Sequence, residues 1–324
     1  MHSVKYLKEQ FDTALKNVKW LSEPRELYQP IDYTLSLGGK RIRPLLLLLG
    51  NDLFGGRTEQ AIMPAIGIEI FHNFTLLHDD IMDQAALRRG KETVYKKWDL
   101  NVAILSGDTM FTLAYDYISR VTPEHLPAVL ELFTTTSRQV CEGQQYDMNF
   151  ELQEHVTIPD YLQMIRLKTA VLLGCSLKLG AILAGAPGDE AVNLYESGEN
   201  LGMAFQLQDD LLDAFGDEKK FGKEIGGDIV TGKKTFLFLK AMELADLEEK
   251  ASLEGTIRDS GLPPGEKIKI VKEIYQHLMI KEITEKEVEN YFLHAMECLK
   301  SINVPDGNKA ELRSLATSLL HRQF

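Results

Sequence analysis

Apolar positions recur with a 3.6-residue period along most of the chain, the spacing that lines one face of a helix. The pattern predicts helices over Thr58–Asp83, Asn101–Val121, Pro123–Met148, Pro159–Gly185, Asp189–Asp213 and Thr235–Leu247. Their ends carry suitable punctuation. Pro44, Pro123 and Pro159 suit first-turn positions, where no backbone N–H is needed. Gly55-Gly56 and Gly185-Ala186-Pro187-Gly188 read as stops. No sustained alternating pattern and no Asn-Gly hairpin signal is present, and no Ser/Gly linker or low-complexity run divides the chain. The expectation is an all-α fold with residues 1–324 as one domain. Past about Leu247 the predicted helices become shorter and more charged, as solvated outer helices would be.

Composition narrows the function classes. Of 324 residues, 44% are hydrophobic and 26% charged, the balance of a folded globular chain rather than a disordered one. Lys and Arg number 36 against 48 Asp and Glu, a net charge of −12. That argues against nucleic acid as a partner, because duplex binding is carried by cations that neutralise phosphates. A small phosphorylated substrate remains admissible, since it needs only a local cationic pocket or a bound metal. Cys141, Cys175 and Cys298 are scattered with no CxxC, which suits neither a disulfide framework nor a zinc site and fits a reducing compartment. The N-terminus has no apolar signal region. The most apolar stretch, Ala170–Gly185, is interrupted by Lys178 and falls short of the ~20 residues that cross a bilayer. A cytoplasmic protein without a membrane span is expected.

The candidate chemistry begins with Asp79, Asp80 and Asp83, in the sequence LLHDDIMD. On a helix Asp79 and Asp83 share a face one turn apart, while Asp80 is turned about 100° away. Like charges at this spacing repel, and aspartate is a mediocre helix former. A divalent cation resolves the conflict: Mg²⁺ takes hard oxygen ligands, usually one or two carboxylates together with substrate phosphates. One such cluster is about as well explained by a solvated acidic helix end. A second cluster, Asp209, Asp210 and Asp213 in FQLQDDLLD, repeats the spacing and the apolar lead-in, and the repetition favours metal binding. If the two helices faced each other, the carboxylates would rim an apolar cavity suited to a diphosphate head and a greasy tail.

Cations accompany both clusters. Arg88-Arg89-Gly90 follows the first in a predicted loop, and guanidinium forks bind phosphate oxygens bidentately. Upstream, GGKRIRP over residues 38–44 combines two glycines, Lys40, Arg41 and Arg43 with a helix-starting proline. Singly, each basic run is more often a solvated loop; beside two metal-type clusters in an acidic protein the balance reverses. Lys168-Thr169, Gln206, and Lys223 and Lys233 in the Gly-rich GKEIGGDIVTGKKT complete the set. Taken alone, Lys168 would be a snorkelling surface lysine.

With GGKRIRP, HDDIMDQAALRRG, Lys168-Thr169, FQLQDDLLD and GKEIGGDIVTGKKT in this order and spacing, the chain resembles the trans-isoprenyl diphosphate (polyprenyl) synthases across residues 38–235. The resemblance implies a helical bundle around a deep central cavity. It also implies a homodimer, and Mg²⁺ at three ions per active site. Position by position, Lys40, Arg43, His72 and Arg89 resemble the isopentenyl diphosphate contacts. Asp79 and Asp83, with Asp80 beside them, resemble the first-motif metal ligands, and Asp209 is the main candidate in the second motif, with Asp210 and Asp213. Arg88, Lys168, Thr169, Gln206, Lys223 and Lys233 resemble the groups that hold the allylic diphosphate or line the cation's path. The first motif lacks the two-residue insertion of many bacterial short-chain members. The implied reaction condenses isopentenyl diphosphate with dimethylallyl, geranyl or farnesyl diphosphate. Phe74, five residues before Asp79, is expected to set product length at C15–C20, leaning to C20, with Thr75 leaving space beside it. Phe71 could serve the same end or be ordinary core.

Other classes compete. A class I terpene cyclase also uses DDxxD, but its usual second motif is of the NSE type. An HD-type phosphohydrolase could claim His78-Asp79 but needs further helix-borne His ligands, which the eight histidines do not supply. A non-catalytic subunit of a heteromeric synthase would tend to lose the Asp clusters, and this chain keeps both.

Overall fold

The computed structural model describes residues 1–216 and 225–321. Lys223 lies outside the described residues. The chain runs α1 (Val4–Asn17), α2 (Arg25–Ser36), α3 (Ile42–Leu53), α4 (Thr58–Met82), a short hairpin of β1 (Leu87–Arg88) and β2 (Lys91–Glu92), α5 (Val94–Lys97), α6 (Leu100–Ile118) and α7 (Leu126–Leu152). It continues with α8 (Ile158–Ile165), a π-helical turn (Arg166–Ala170), α9 (Val171–Leu183), α10 (Gly188–Phe215), α11 (Gly227–Thr231) and α12 (Phe236–Leu244). The last helices are α13 (Leu247–Arg258), α14 (Pro264–His277), α15 (Ile280–Ser301) and α16 (Asp306–His321). The all-α expectation holds, and no described helix is long and apolar enough to cross a membrane.

The backbone clusters into two compact units, one of residues 1–134, 175–195 and 302–315, the other of 135–174, 196–301 and the C-terminal residues from 316. In the first unit α4 is the central helix. Its residues Ala65 to Phe71 are all buried, so it is enclosed on every side rather than amphipathic. It packs along α6 and α3. Helix α3 contributes Leu45 to Leu49, each no more than 2% exposed. Fully burying each such side chain stabilises by roughly 1.5–3 kcal/mol. Helix α6 starts where the Asp99 carboxylate accepts the Val102 N–H at 2.8 Å, satisfying one of the orphan amides of its first turn.

In the second unit Tyr161, Met164, Ile165, Ala170, Met203, Ala204, Leu207 and Phe236 form one apolar cluster. Leu211, Ala214, Leu237, Ala241, Leu253, Val271 and Tyr275 form another. Helix α8 opens with a reciprocal capping box between Thr157 and Asp160.

Four details differ from the sequence reading. The Arg88-Arg89-Gly90 loop is the tip of a hairpin, Leu87 pairing with Glu92 and Arg88 with Lys91. Arg89 and Gly90 both take positive φ, 54° and 73°, as a type I′ turn requires. Helix α7 begins at Leu126 rather than Pro123, because a turn closed by the His125 N–H on the Thr122 carbonyl precedes it. The predicted helix over Pro159–Gly185 is interrupted by the π turn. Beyond Leu247, α15 is 22 residues long and buries Val288, Ala295 and Leu299, so that region is not only short solvated helices.

Candidate active site

The first unit gathers the basic turn, the hairpin and the first acidic motif around α4. Arg41 caps α3 in the left-handed conformation (φ 55°). Its guanidinium is buried, donating to the Glu69 carboxylate and, at 2.8 Å, to the Leu35 carbonyl. Glu69 also accepts from Asn73 Nδ2 at 2.9 Å. In sequence Arg41 is one cation among three on a basic turn; in the fold it is the internal anchor that fixes Lys40 and Arg43 on either side of it.

Arg43 Nη1 lies 3.1 Å from His72 Nε2, and Arg43 Nε is buried without a hydrogen-bond partner. Burial lowers the Arg43 guanidinium to about 10, against a raising influence of Glu69. Burial, then Arg43, Arg89, Arg88 and Arg41, drives the His72 imidazole well below its ordinary range, so it is neutral at pH 7. Arg89 donates to the Gly38 carbonyl, joining the hairpin tip to the glycine turn. Among the described residues neither Arg43 nor Arg89 has a carboxylate at ion-pair distance. Two guanidiniums with donor capacity thus flank a neutral imidazole, an arrangement that accepts an anion. Lys40 is exposed beside them.

The first acidic motif splits. Asp79 is half-buried and Asp83 exposed, at the α4 terminus. Asp80 is buried; its Oδ1 accepts from Arg88 Nε at 2.8 Å and forms an ion pair with Arg88 Nη2, also at 2.8 Å. Burial raises the Asp80 carboxyl, while the Arg88 charge opposes that rise. Grouped with the metal ligands on spacing, Asp80 has a protein cation on one of its oxygens. Among the described residues no three His, Cys, Asp or Glu groups converge to cage an ion alone. Asp79 and Asp83, hard oxygen donors one turn apart, fit a cation that draws its other ligands from substrate phosphate and water.

Below this motif lies an aromatic stack. Phe74 packs on Phe111 (ring centroids 5.2 Å apart), His78 (4.8 Å) and Phe71 (5.6 Å). Phe71 is fully buried and also meets Phe133 at 5.2 Å, whereas Phe74 is only half-buried. Thr75 turns its hydroxyl back to the His72 carbonyl at 2.8 Å. The sequence reading missed Phe111 and Phe133, since aromatic residues on separate helices carry no mutual spacing signal.

The second unit gathers the remaining residues. The π turn contains Lys168 and Thr169, and such turns inside helices often mark functional sites. Two glycines make room for it: a Cβ at Gly143 would lie 2.3 Å from Lys168 N, and one at Gly202 2.5 Å from Ala170 Cα. Lys168 Nζ donates to Asp147 at 2.5 Å, and Lys233 Nζ is 3.9 Å from the same oxygen. Asp147, not foreseen from the sequence, therefore gathers the two lysines; its only signal is a position one turn after Gly143.

The Thr169 hydroxyl donates to Gln206 Oε1 at 3.2 Å, and Gln206 Nε2 to Asp210 Oδ1 at 3.0 Å. Tyr161 donates to Asp210 Oδ2. Burial, then the Asp228 charge, pushes the Asp210 carboxyl up to about 7. Asp213 Oδ2 accepts the Asp228 N–H at 3.0 Å at the start of α11. Asp210 and Asp213, expected with the metal ligands, thus each have protein partners. Asp209 is half-buried on α10.

The polyprenyl synthetase family model matches residues 24–278. A geranylgeranyl diphosphate synthase of Methanosarcina mazei is 38% identical over 234 residues, 72% of each chain. One of Saccharolobus solfataricus is 43% identical over 229 residues, 69% of each chain. A crystal structure of a geranylgeranyl pyrophosphate synthase superposes with a TM-score of 0.95 at 42% identity, covering 100% of both chains. Likeness of this extent, in sequence and backbone together, is that of common descent: the chain belongs to the polyprenyl synthetase family.

Proposed function

We propose that the chain is a short-chain trans-prenyltransferase of the geranylgeranyl diphosphate synthase type, with residues 1–324 acting as one catalytic domain. It joins isopentenyl diphosphate to dimethylallyl, geranyl or farnesyl diphosphate, releases pyrophosphate and forms a C15–C20 product, leaning to C20. The observation that carries this reading is Arg43. A half-buried guanidinium whose Nε is unpartnered, beside a neutral His72 and close to Arg89, is a prepared diphosphate site in a protein of net charge −12. It is joined by α4 to the carboxylates of a second, metal-type site. A terpene cyclase has one diphosphate substrate and no use for the first.

In this reading Lys40, Arg43, His72 and Arg89 hold isopentenyl diphosphate. Asp79, Asp83 and Asp209 would hold Mg²⁺, three ions on the family resemblance. Bound there, Mg²⁺ supplies Lewis acidity toward the allylic diphosphate. Arg88, Lys168 and Lys233, with Lys223, share the negative charge of the departing pyrophosphate. The allylic cation left behind is attacked by the double bond of isopentenyl diphosphate, and a proton is then lost to the released pyrophosphate, so no protein base is required. The Thr169 and Gln206 oxygens present neutral dipoles to the cation. Water has to be kept from this cation, which it would otherwise quench to an alcohol. A homodimer in the cytoplasm completes the proposal.

Labelled isopentenyl diphosphate tests it. Label should enter a longer prenyl diphosphate only when Mg²⁺ and an allylic primer are both present. Pyrophosphate release without incorporation would favour a cyclase or a hydrolase, and activity only on adding a partner chain would favour a heteromeric subunit.

A further inference from the structure

Tyr161 on α8 is 1% exposed, and a buried phenol needs a partner for its hydroxyl. It finds one in Asp210 Oδ2 on α10. The other carboxylate oxygen accepts from Gln206 Nε2, one helical turn earlier. The nitrogen end of the Gln206 amide therefore faces the Asp210 carboxyl. The oxygen end then faces Thr169, whose hydroxyl donates to it. Tyr161, Asp210, Gln206 and Thr169 therefore form one directional chain, with each donor opposite one acceptor. Without the Tyr161 hydroxyl, the Asp210 carboxylate is held from one side only and can rotate. The Gln206 amide then loses the constraint on which end it presents.

We propose that Tyr161 is a positioning residue for prenyl transfer: by holding Asp210 it fixes the Gln206 amide with its carbonyl oxygen, not its N–H, toward the developing allylic cation. The inference rests on the prenyltransferase reading above, and it assigns Asp210 to this chain of hydrogen bonds rather than to a metal ion. A carbonyl dipole lowers the energy of a nearby cation, and a reversed amide raises it. Because the charge exists only after the C–O bond has begun to break, the effect falls on turnover and not on ground-state binding. A cation less well held is also captured more often by water, which forms a prenyl alcohol and gives up a proton to solvent.

Tyr161→Phe, which removes one oxygen and keeps the ring, is the direct test. Misplacing a group that acts on the transition state should lower kcat about 10- to 100-fold. KM for both diphosphates should stay within about twofold, and prenyl alcohol should become a larger share of the products. Combined with Gln206→Leu, the loss should be no greater than for Gln206→Leu alone, because both changes act through one amide. Independent, multiplying losses, or a lowered Tm with unchanged kcat, would overturn the proposal. Should Tyr161→Phe fail to fold, the isosteric Asp210→Asn serves instead. It should show the same kcat-specific loss at an unchanged Mg²⁺ requirement; a raised requirement would make Asp210 a metal ligand and overturn the assignment. If the unaltered chain consumes no isopentenyl diphosphate, the prenyltransferase reading fails before any variant is made.

Discussion

Arg41 and Glu69 form a buried ion pair directly beneath the turn that carries Lys40 and Arg43, and Asn73 and the Leu35 carbonyl satisfy the remaining polar groups. Removing one member of such a pair leaves an uncompensated buried charge, which costs roughly 3–5 kcal/mol. Arg41→Met should lower stability in urea by about that amount and raise KM for isopentenyl diphosphate. Adding Glu69→Met should restore much of the stability, because the pair is then replaced by apolar volume. KM should stay high, since the turn is no longer tied down. A double variant with normal KM would show that the pair does not position the turn.

The two neighbouring aspartates of the first motif should behave differently. Asp79→Asn should raise the Mg²⁺ concentration needed for half-maximal rate and lower kcat by roughly 100-fold or more. Asp80→Asn weakens the hold on Arg88, so it should raise KM for the allylic diphosphate and leave the Mg²⁺ requirement close to normal. Metal titrations of initial rate separate the two. Equal shifts in Mg²⁺ requirement would return Asp80 to the metal site.

Product length should respond to Phe74 and Phe111 but not in the same way to Phe71. Phe74 is half-buried and stacked on Phe111, so Phe74→Ala or Phe111→Ala should lengthen the products. Phe71 is enclosed by Phe74, Phe111 and Phe133. Phe71→Ala should chiefly destabilise, by about 3–5 kcal/mol. Chromatography of the dephosphorylated products against urea melts distinguishes the two effects. An unchanged product from Phe74→Ala would remove that ring from length control.

Protonation should couple His72 to stability. Its folded pKa lies well below the ordinary 6.5, so below pH 6.5 the unfolded chain binds a proton that the folded chain refuses. The stability this group contributes is complete above pH 6.5 and is lost as pH falls toward the folded value. The loss is up to about 1.4 kcal/mol per unit. The difference in stability between His72→Gln and the unaltered protein, followed from pH 7.5 to 5, should shift in favour of the variant on acidification. A pH-independent difference would mean that His72 protonates freely in the fold.

Much of this was legible before the fold was known. The apolar pattern and its bounding turn residues located α4, α6, α10 and α12 to within three residues at each end, because long apolar runs between such residues mark helices that the core buries. What escaped depended on partners distant in the chain. The π turn at Arg166–Ala170 is accommodated by Gly143 and Gly202, whose importance arises only once α7 and α10 pass close to it. Asp147 and Tyr161 carry no local mark that separates them from a surface carboxylate and a core tyrosine. The hairpin was too short to alternate, and its Arg89-Gly90 turn lacked the usual Asn-Gly pair. Arg41 was visible as a cation, but only burial shows that it faces inward.

The most direct measurement follows pyrophosphate release and isopentenyl diphosphate consumption together, in purified protein with Mg²⁺ and each allylic primer in turn. The account predicts one pyrophosphate for each isopentenyl unit consumed, with C15–C20 prenyl diphosphates accumulating. Pyrophosphate released while isopentenyl diphosphate stays intact would contradict it.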